Sequence, residues 1–369
     1  MGIPLLSVPF NELREISGGQ NEKIVGVLGQ ILDSGIFLFG NETQKFVENL
    51  SEYLGVGHVV PVANGTDALE ISLRALGVGP GDTVLGVANA GGYGTIAIRQ
   101  VGAIPIYVDV SDTNLLMDPA ELERILGRGD LAPRALILTH LFGVMGPLDA
   151  VLSICRRYSV SVIEDCAQSI GVRGVDGHVG TFGDFGTFSF YPTKNLGGIG
   201  DSGAIVTNSA ELAAKAKALA QYGWSEKYVA GTPMGRNSRM DEIQAAVLRL
   251  RLPELENQNR KRLEIYRQYL SVSKSLDFVH RNQQEHNGHL AVLRVKDRKE
   301  AQAALLKNGV ETMIHYPVGD HQQAAFGSNE VSLPVTEAST ADIISVPCHP
   351  RMTDQQVAVV SSALAALVM

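Results

Sequence analysis

Three short stretches hold residue types that could do chemistry together. The first is GTFSFYPTKNLGGIGDSG, residues 186–203, where Lys194 stands between an apolar run and a glycine-rich loop. A lysine taken singly is most often a solvated charge. One whose amine is desolvated, near other cations, has a lowered pKa and attacks carbonyl carbon. The second stretch is VIEDCAQS, in which Asp165 ends an apolar run and Gln168 follows. A carboxylate placed there needs a cationic or hydrogen-bonding partner. A structural ion pair or a helix cap meets that need as well as catalysis does, and Gln168 alone reads as an ordinary polar side chain. The third is NGTDAL, where Asn64, Gly65 and Thr66 lead from a strand into a helix. Free amide N–H groups, a glycine and a hydroxyl suit an anion, and equally suit a plain helix cap.

Taken together, the stretches describe one ligand. It carries a phosphate for Gly65, Thr66 and Ser189, a carbonyl for Lys194 and a ring nitrogen for Asp165. Pyridoxal 5′-phosphate (PLP) has all three. Asp165 would keep the pyridine nitrogen protonated, making the ring an electron sink. Tyr93, in NAGGY, is expected to stack on the ring face, the other reading being a core aromatic. GGIGDSG also satisfies G-x-G-x-x-G at Gly198, Gly200 and Gly203. It leads into a strand rather than a helix, so it reads as a tight turn beside the lysine and not as a dinucleotide site.

Such residues need a frame. Seven β-rich runs lie between 58 and 208: HVVPVA, TVLGVA, IPIYVDV, ALILTHLF, VSVIEDC, GTFSFY and GAIVTN. Most are continuously apolar, as when both faces of a sheet are covered, and helical segments separate them. This predicts an α/β fold with a mainly parallel seven-stranded sheet between helices, its ligand at the carboxyl ends of the strands. Helices are predicted from Asp67 as N-cap, over 211–222, and over SRMDEIQAAVLRLRL with Ser238 and Asp241 as a capping pair. Pro253 interrupts, and a long charged helix resumes at ELENQNRKRLEIYRQYL. Beyond it come a strand (289–295), a helix (298–309) and a last helix from Asp354. The predicted division is a large cofactor-binding domain, 1–245, and a smaller C-terminal α+β domain, 246–369.

The chain has 369 residues, 45% of them hydrophobic and 19% charged, with a net charge of −8. This balance gives a sizeable core and argues against a disordered or nucleic-acid-binding protein. No apolar run has the length of a membrane span, and MGIPLLSVPFNEL lacks the basic start and apolar core of a secretory signal. Cys155, Cys166 and Cys348 are odd in number and far apart, which suits free thiols in the cytoplasm. His286 and His289, in HNGH, have metal-like spacing without a cysteine or acidic partner, and are read as solvated.

These motifs resemble the DegT/DnrJ/StrS-type sugar-nucleotide aminotransferases, which are fold-type I PLP enzymes. The resemblance runs through SGIFLFG, NGTDALEISLRALGVGPGD, IEDCAQSIG, GTFGDFGTFSFYPTKNLGGIGDSGAIVTN, GRNSRMDEIQAAVLRLRL, HYPVGDHQQAAF and LPVTE. It implies that Lys194 condenses with the cofactor and carries the proton between the two carbon centres. It implies Asp165 at the pyridine nitrogen, Gln168 at the ring hydroxyl, Gly65, Thr66 and Ser189 around the phosphate, and Tyr93 on the ring. It implies that Asn237 reaches the phosphate of a neighbouring subunit, so that a homodimer shares its sites. Tyr191, His315 and Tyr316 would border the sugar. The family commonly reads HYPVPLH where Gly319 and Asp320 stand here, a change beside the sugar pocket.

The reaction implied moves an amino group from L-glutamate to a nucleotide-linked keto-deoxyhexose, with a lean toward C3 of a dTDP-3-keto-6-deoxyhexose. Amination at C4 and aminocyclitol substrates stay open. So do a PLP lyase or dehydratase on the same scaffold and a non-catalytic PLP-bound sensor.

Overall fold

A computed structural model describes residues 7–14, 19–326 and 331–367 of the protein. Residues 1–6, on which the expected absence of a secretory signal partly rests, lie outside them. All seven predicted runs form strands: β1 (His58–Val62), β2 (Thr83–Gly86), β3 (Ile104–Tyr107), β4 (Ala135–Thr139), β5 (Ser161–Asp165), β6 (Phe185–Ser189) and β7 (Gly203–Thr207). They make one sheet in the order β1-β7-β6-β5-β4-β2-β3. Only β7 runs against the others, antiparallel to both β1 and β6. The apolar runs outlast several strands at the carboxyl end. Val87 and Ala88 after β2 are buried beneath the site instead of paired in the ladder.

The continuous apolarity follows from two covered faces. Leu85, Leu136, Leu138 and Val162 point into one core, against α5 (Pro119–Leu126) and α6 (Leu148–Tyr158). Their neighbours Val84, Ala135, Ile137 and Ile163 point into the opposite core. That core is roofed by α3 (Gly65–Ala75), α4 (Tyr93–Gln100) and α7 (Ala210–Ala220). Near β6 and β7 a further core packs Phe188, Phe190, Ala204 and Val206 against α2 (Asn41–Leu54) and α8 (Glu242–Arg251). The amino-terminal α1 (Gln20–Ser34) lies on α8. A short ribbon, β8 (Trp224–Glu226) and β9 (Val229–Ala230), stands apart.

Pro253 sits in a 3₁₀ turn, Leu252–Glu254, between α8 and the long α9 (Leu255–Val272). Pro lacks the N–H that a continuous helix needs at that point. The C-terminal part has its own antiparallel sheet, β10 (Asp277–Phe278), β11 (Ala291–Arg294) and β12 (Ile343–Val346). With α9, α10 (Arg298–Lys307) and α12 (Asp354–Ala365) it encloses a core around Tyr266, Tyr269, Phe278 and Leu293. The remaining helix is α11 (Pro334–Asp342).

Helix starts differ from the sequence reading. α3 begins at Gly65, and Asn64 is its cap, accepting from the Asp67 N–H at 2.8 Å. Asp67 and Glu70 are instead buried partners of Arg236. Ser238 does not cap α8; its hydroxyl accepts from the Ala63 N–H at 3.1 Å. Asp241 occupies the N-cap position without a side-chain bond.

Two helices are capped from far along the chain. The N-cap of α2 is Gly40, and buried Glu242 accepts from the N–H groups of Gly40 (2.9 Å), Glu42 (2.8 Å) and Thr43 (3.0 Å), and from the Thr43 hydroxyl. A Cβ on Gly40 would fall 2.7 Å from Glu242 Oε2 and would have to push the capping carboxylate aside. At α11, Asp109 accepts from the N–H groups of Val335 and Thr336, each at 3.0 Å, and from the Thr336 hydroxyl at 2.8 Å. Each carboxylate meets free N–H groups at the positive end of a helix.

Candidate active site

The sheet gathers the candidate residues along its carboxyl edge. Lys194 leaves β6 in a turn closed by its N–H on the Tyr191 carbonyl at 2.8 Å. The glycine loop folds back on the strand end: the Gly198 N–H donates to the Phe190 carbonyl at 2.7 Å. A Cβ on Gly197 would lie 2.5 Å from the Pro192 oxygen. The loop is thus the tight turn expected. Burial brings the Lys194 amine down to about 8, with the Asp165 charge opposing the shift. Burial raises the Asp165 carboxyl, against the Ala167 N–H (3.1 Å) and the Lys194 charge. Neighbouring strands therefore bring together a half-buried amine poised near neutrality and a buried acceptor.

Gln168 is fixed at both ends. Its Oε1 accepts from the Phe142 N–H at 2.6 Å and its Nε2 donates to the Tyr316 hydroxyl at 3.1 Å. The backbone donor sets which end is oxygen, and one amide N–H stays available. Beneath Asp165, Glu164 accepts from the N–H groups of Gly180, Phe182 and Gly183, each at 2.8 Å, and from His140 Nε2 at 3.0 Å. Burial pushes Glu164 up, and these bonds outweigh it, so the carboxyl lies below its usual range. His140 Nδ1 accepts from the Gly146 N–H, so its proton sits on Nε2. Cys166 lies within metal-ligand reach of these two groups. Their lone pairs and protons are already committed, which makes the cluster a support for β5.

The phosphate candidates meet where β1 and β6 end. A Cβ on Gly65 would stand 2.7 Å from Ser189 Cβ and 3.3 Å from its Oγ. A Cβ on Gly203, at the start of β7, would stand 2.6 Å from the Asn64 carbonyl. The N–H groups of Gly65 and Thr66 donate to no described residue. Ser189 Oγ accepts from the Tyr191 N–H, leaving its own proton to give. This is an anion cradle at a helix N-terminus.

Tyr93 is the first residue of α4, 49% exposed, so it is no core aromatic. Its ring meets that of Tyr316 edge-on, centroids 6.4 Å apart. His315 Nδ1 bonds Ser345 Oγ at 2.9 Å, and burial, with the Lys194 charge, holds the ring down at about 4. Tyr191 is exposed. Asn237 is exposed too, bridged through its backbone to Gln221, and this chain does not itself bring it to the cluster.

Other residues were not read from sequence. Asn195 donates to Asn259 Oδ1 at 2.7 Å and accepts from His289 Nδ1 at 2.8 Å. His289 is buried, its pKa pushed well below the ordinary value by burial and by Lys194. His286 is half-buried and packs edge-on against Tyr266. The solvated reading of both histidines is overturned, because HNGH folds under the site where Asn287 donates to the Gln168 and Ile170 carbonyls at 3.0 Å. The available signal was position: Asn195 adjoins the lysine, and HNGH immediately precedes an apolar strand.

These donors fit PLP: a poised amine, a buried carboxylate, a free amide N–H and a cradle that one added Cβ would fill. Comparison with known proteins agrees. A family model described as the DegT/DnrJ/EryC1/StrS aminotransferase family matches residues 19–365. A dTDP-3-amino-3,6-dideoxy-alpha-D-galactopyranose transaminase of Aneurinibacillus thermoaerophilus is 36% identical, the match covering 95% of this chain and 96% of that one. A UDP-N-acetyl-3-dehydro-alpha-D-glucosamine 3-aminotransferase of Acidithiobacillus ferrooxidans is 34% identical, covering 97% of each. The solved structure of S. venezuelae DesV in complex with a ketimine intermediate superposes with a TM-score of 0.92 at 33% identity, covering 97% of this chain and 98% of that one. With the α/β architecture and the lysine–aspartate edge already in place, the chain belongs to the DegT/DnrJ/EryC1/StrS aminotransferase family of PLP-dependent enzymes.

Proposed function

We propose that the protein transfers an amino group from L-glutamate to a nucleotide-linked keto-deoxyhexose, most directly a dTDP-3-keto-6-deoxyhexose. The carrying observation is the Lys194 amine, poised at about 8 beside buried Asp165 and at the same sheet edge as the Gly65–Thr66–Ser189 cradle. PLP, when bound, supplies the electron sink that makes a carbon–hydrogen bond beside the transferred nitrogen acidic. Asp165 holds the proton on the pyridine nitrogen. Gln168 offers its free N–H to the ring hydroxyl, Tyr93 covers the ring face, and the cradle holds the phosphate. Lys194 moves a proton in each half-reaction, taking one from the donor's α-carbon in the first and giving one to the sugar carbon in the second. Tyr191, His315 and Tyr316 line the approach of the sugar.

The dTDP lean rests on likeness to a dTDP-sugar transaminase, and the UDP-sugar relative keeps a UDP-linked substrate as the second reading. Exposed Phe37, Phe39, Tyr222 and Met234, with Asn237 among exposed residues, support a homodimer that shares its sites. The separate core of the C-terminal sheet supports a smaller C-terminal unit. The proposed boundary between 245 and 246 falls inside α8, whose Leu248 packs in the large-domain core, and Val8 of the amino-terminal segment joins the C-terminal core. Three buried free thiols support a reducing cytoplasm. No described helix is long and apolar enough to cross a membrane.

The visible absorbance of the PLP-loaded protein tests this first. The bound band should bleach on adding L-glutamate in wild type and be absent in Lys194→Ala. A band that glutamate leaves unchanged would point to another donor, the lyase or the sensor. Incubation with dTDP- and UDP-linked keto-sugars, products read by NMR, then decides the nucleotide and the carbon.

A further inference from the structure

The start of α4 is built to be loose. Gly91 and Gly92 precede it at φ +77° and +86°, and its N-cap, Gly92, has no side-chain bond to give. Two left-handed glycines leave the entry free to move unless something outside holds it. What lies against it is the segment 315–326 from the C-terminal part. A Cβ on Gly91 would strike the Tyr316 ring at 2.8 Å. The Asp320 N–H donates to the Ala88 carbonyl at 2.7 Å. Asp320 itself is 1% exposed, and its Oδ2 accepts from the hydroxyl of Thr95, the third residue of α4, at 2.6 Å. The Thr95 oxygen lies 3.2 Å from the Tyr107 hydroxyl, so Tyr107 and Thr95 form a donor chain that ends on the carboxylate. Among the described residues Asp320 Oδ1 has no hydrogen-bond partner, and the Gly92 backbone favours the charged form of this carboxylate. A buried carboxylate, here with one unpaired oxygen, thus stands at the positive end of a helix without a cap of its own, as Glu242 does at α2 and Asp109 at α11. Its bond to α4 is to the Thr95 hydroxyl and not to a backbone N–H.

We infer that Asp320 is a positioning residue: it caps α4 from the C-terminal part and so fixes Tyr93, the first residue of that helix, over the cofactor cleft. The inference rests on the PLP reading only through Tyr93. Capping and cofactor binding can therefore be measured separately.

Hydrogen–deuterium exchange of the cofactor-free protein reads the cap. In Asp320→Ala, peptides spanning 93–100 should exchange about tenfold faster, the size of a lost cap, while peptides of α2 stay unchanged. Titration with PLP, on samples whose circular dichroism is native, reads positioning. The Kd should rise about tenfold in Asp320→Ala and in Thr95→Val, no further in the double variant, and Asp320→Asn should recover most of the loss. Thr95→Val keeps the test open if Asp320→Ala does not fold. Faster exchange with wild-type PLP affinity would overturn the positioning role, and unchanged exchange would overturn the cap. A wild type that binds no PLP would instead sink the functional reading, with exchange still deciding whether Asp320 caps α4.

Discussion

In the cofactor-free protein, Lys194 should titrate far from ordinary lysines, and the direction in which Asp165 moves it is a sharp test. Burial lowers the amine from 10.5 to about 8, and the Asp165 charge resists that shift. At pH 7 about one Lys194 in ten would be the neutral nucleophile, against about one in three thousand for an unperturbed lysine, a gain of roughly 300-fold. Reactivity should rise with pH and level off above about 8. In Asp165→Asn the charge that favours the ammonium is gone and burial remains. The midpoint should therefore fall further, although the change removes a catalytic partner. Pulse acetylation across pH 6–11, with mass spectrometry of the 186–203 peptide and exposed Lys261 as control, measures both midpoints. A wild-type midpoint near 10.5, or an upward move in Asp165→Asn, would refute the account of desolvation opposed by charge.

Two further substitutions test the frame and the cradle. Glu242→Ala strands three backbone N–H groups and a hydroxyl at the start of α2, and should lower stability by about 3 kcal/mol, read from the urea midpoint at unchanged m-value. Gly65→Ala places a Cβ 2.7 Å from Ser189 Cβ, in the space assigned to the phosphate. PLP affinity should drop at least about tenfold, a loss of roughly 1.4 kcal/mol, measured on samples whose circular dichroism is native because the same clash also lowers stability. Wild-type affinity would move the phosphate elsewhere.

The sheet was legible because its strands carry their own signal. Ala135 to Leu138 alternate between two cores that both demand apolar side chains, so the run is unbroken. Lys194, Asp165 and Gly65 were legible because strand ends in a parallel sheet converge, and chain position then stands in for position in space. The reversed β7 had no local signature, since its apolar run is the same in either direction. The caps were misread where the true partner is remote: Asp67 has the right type for a cap, yet Arg236 claims it. His289 looked solvated because its neighbours in sequence are polar, while its neighbours in space are Asn195 and Asn287.

The remote caps also bear on the order in which the chain can be finished. Glu242 closes α2 across 199 to 202 residues, Asp320 closes α4 across 225, and Asp109 waits 226 to 227 residues for α11. Loop closure over such spans adds little free energy, about 0.6 kcal/mol for each doubling of length, but it slows folding. During synthesis α2 would stand with an open amino end until Glu242 emerged, and α4 until Asp320 did. A fragment ending at residue 245 would carry Lys194, Asp165 and the cradle, yet leave α4, and with it Tyr93, untied. Cofactor binding at full strength would then wait until Asp320 had emerged and docked on α4.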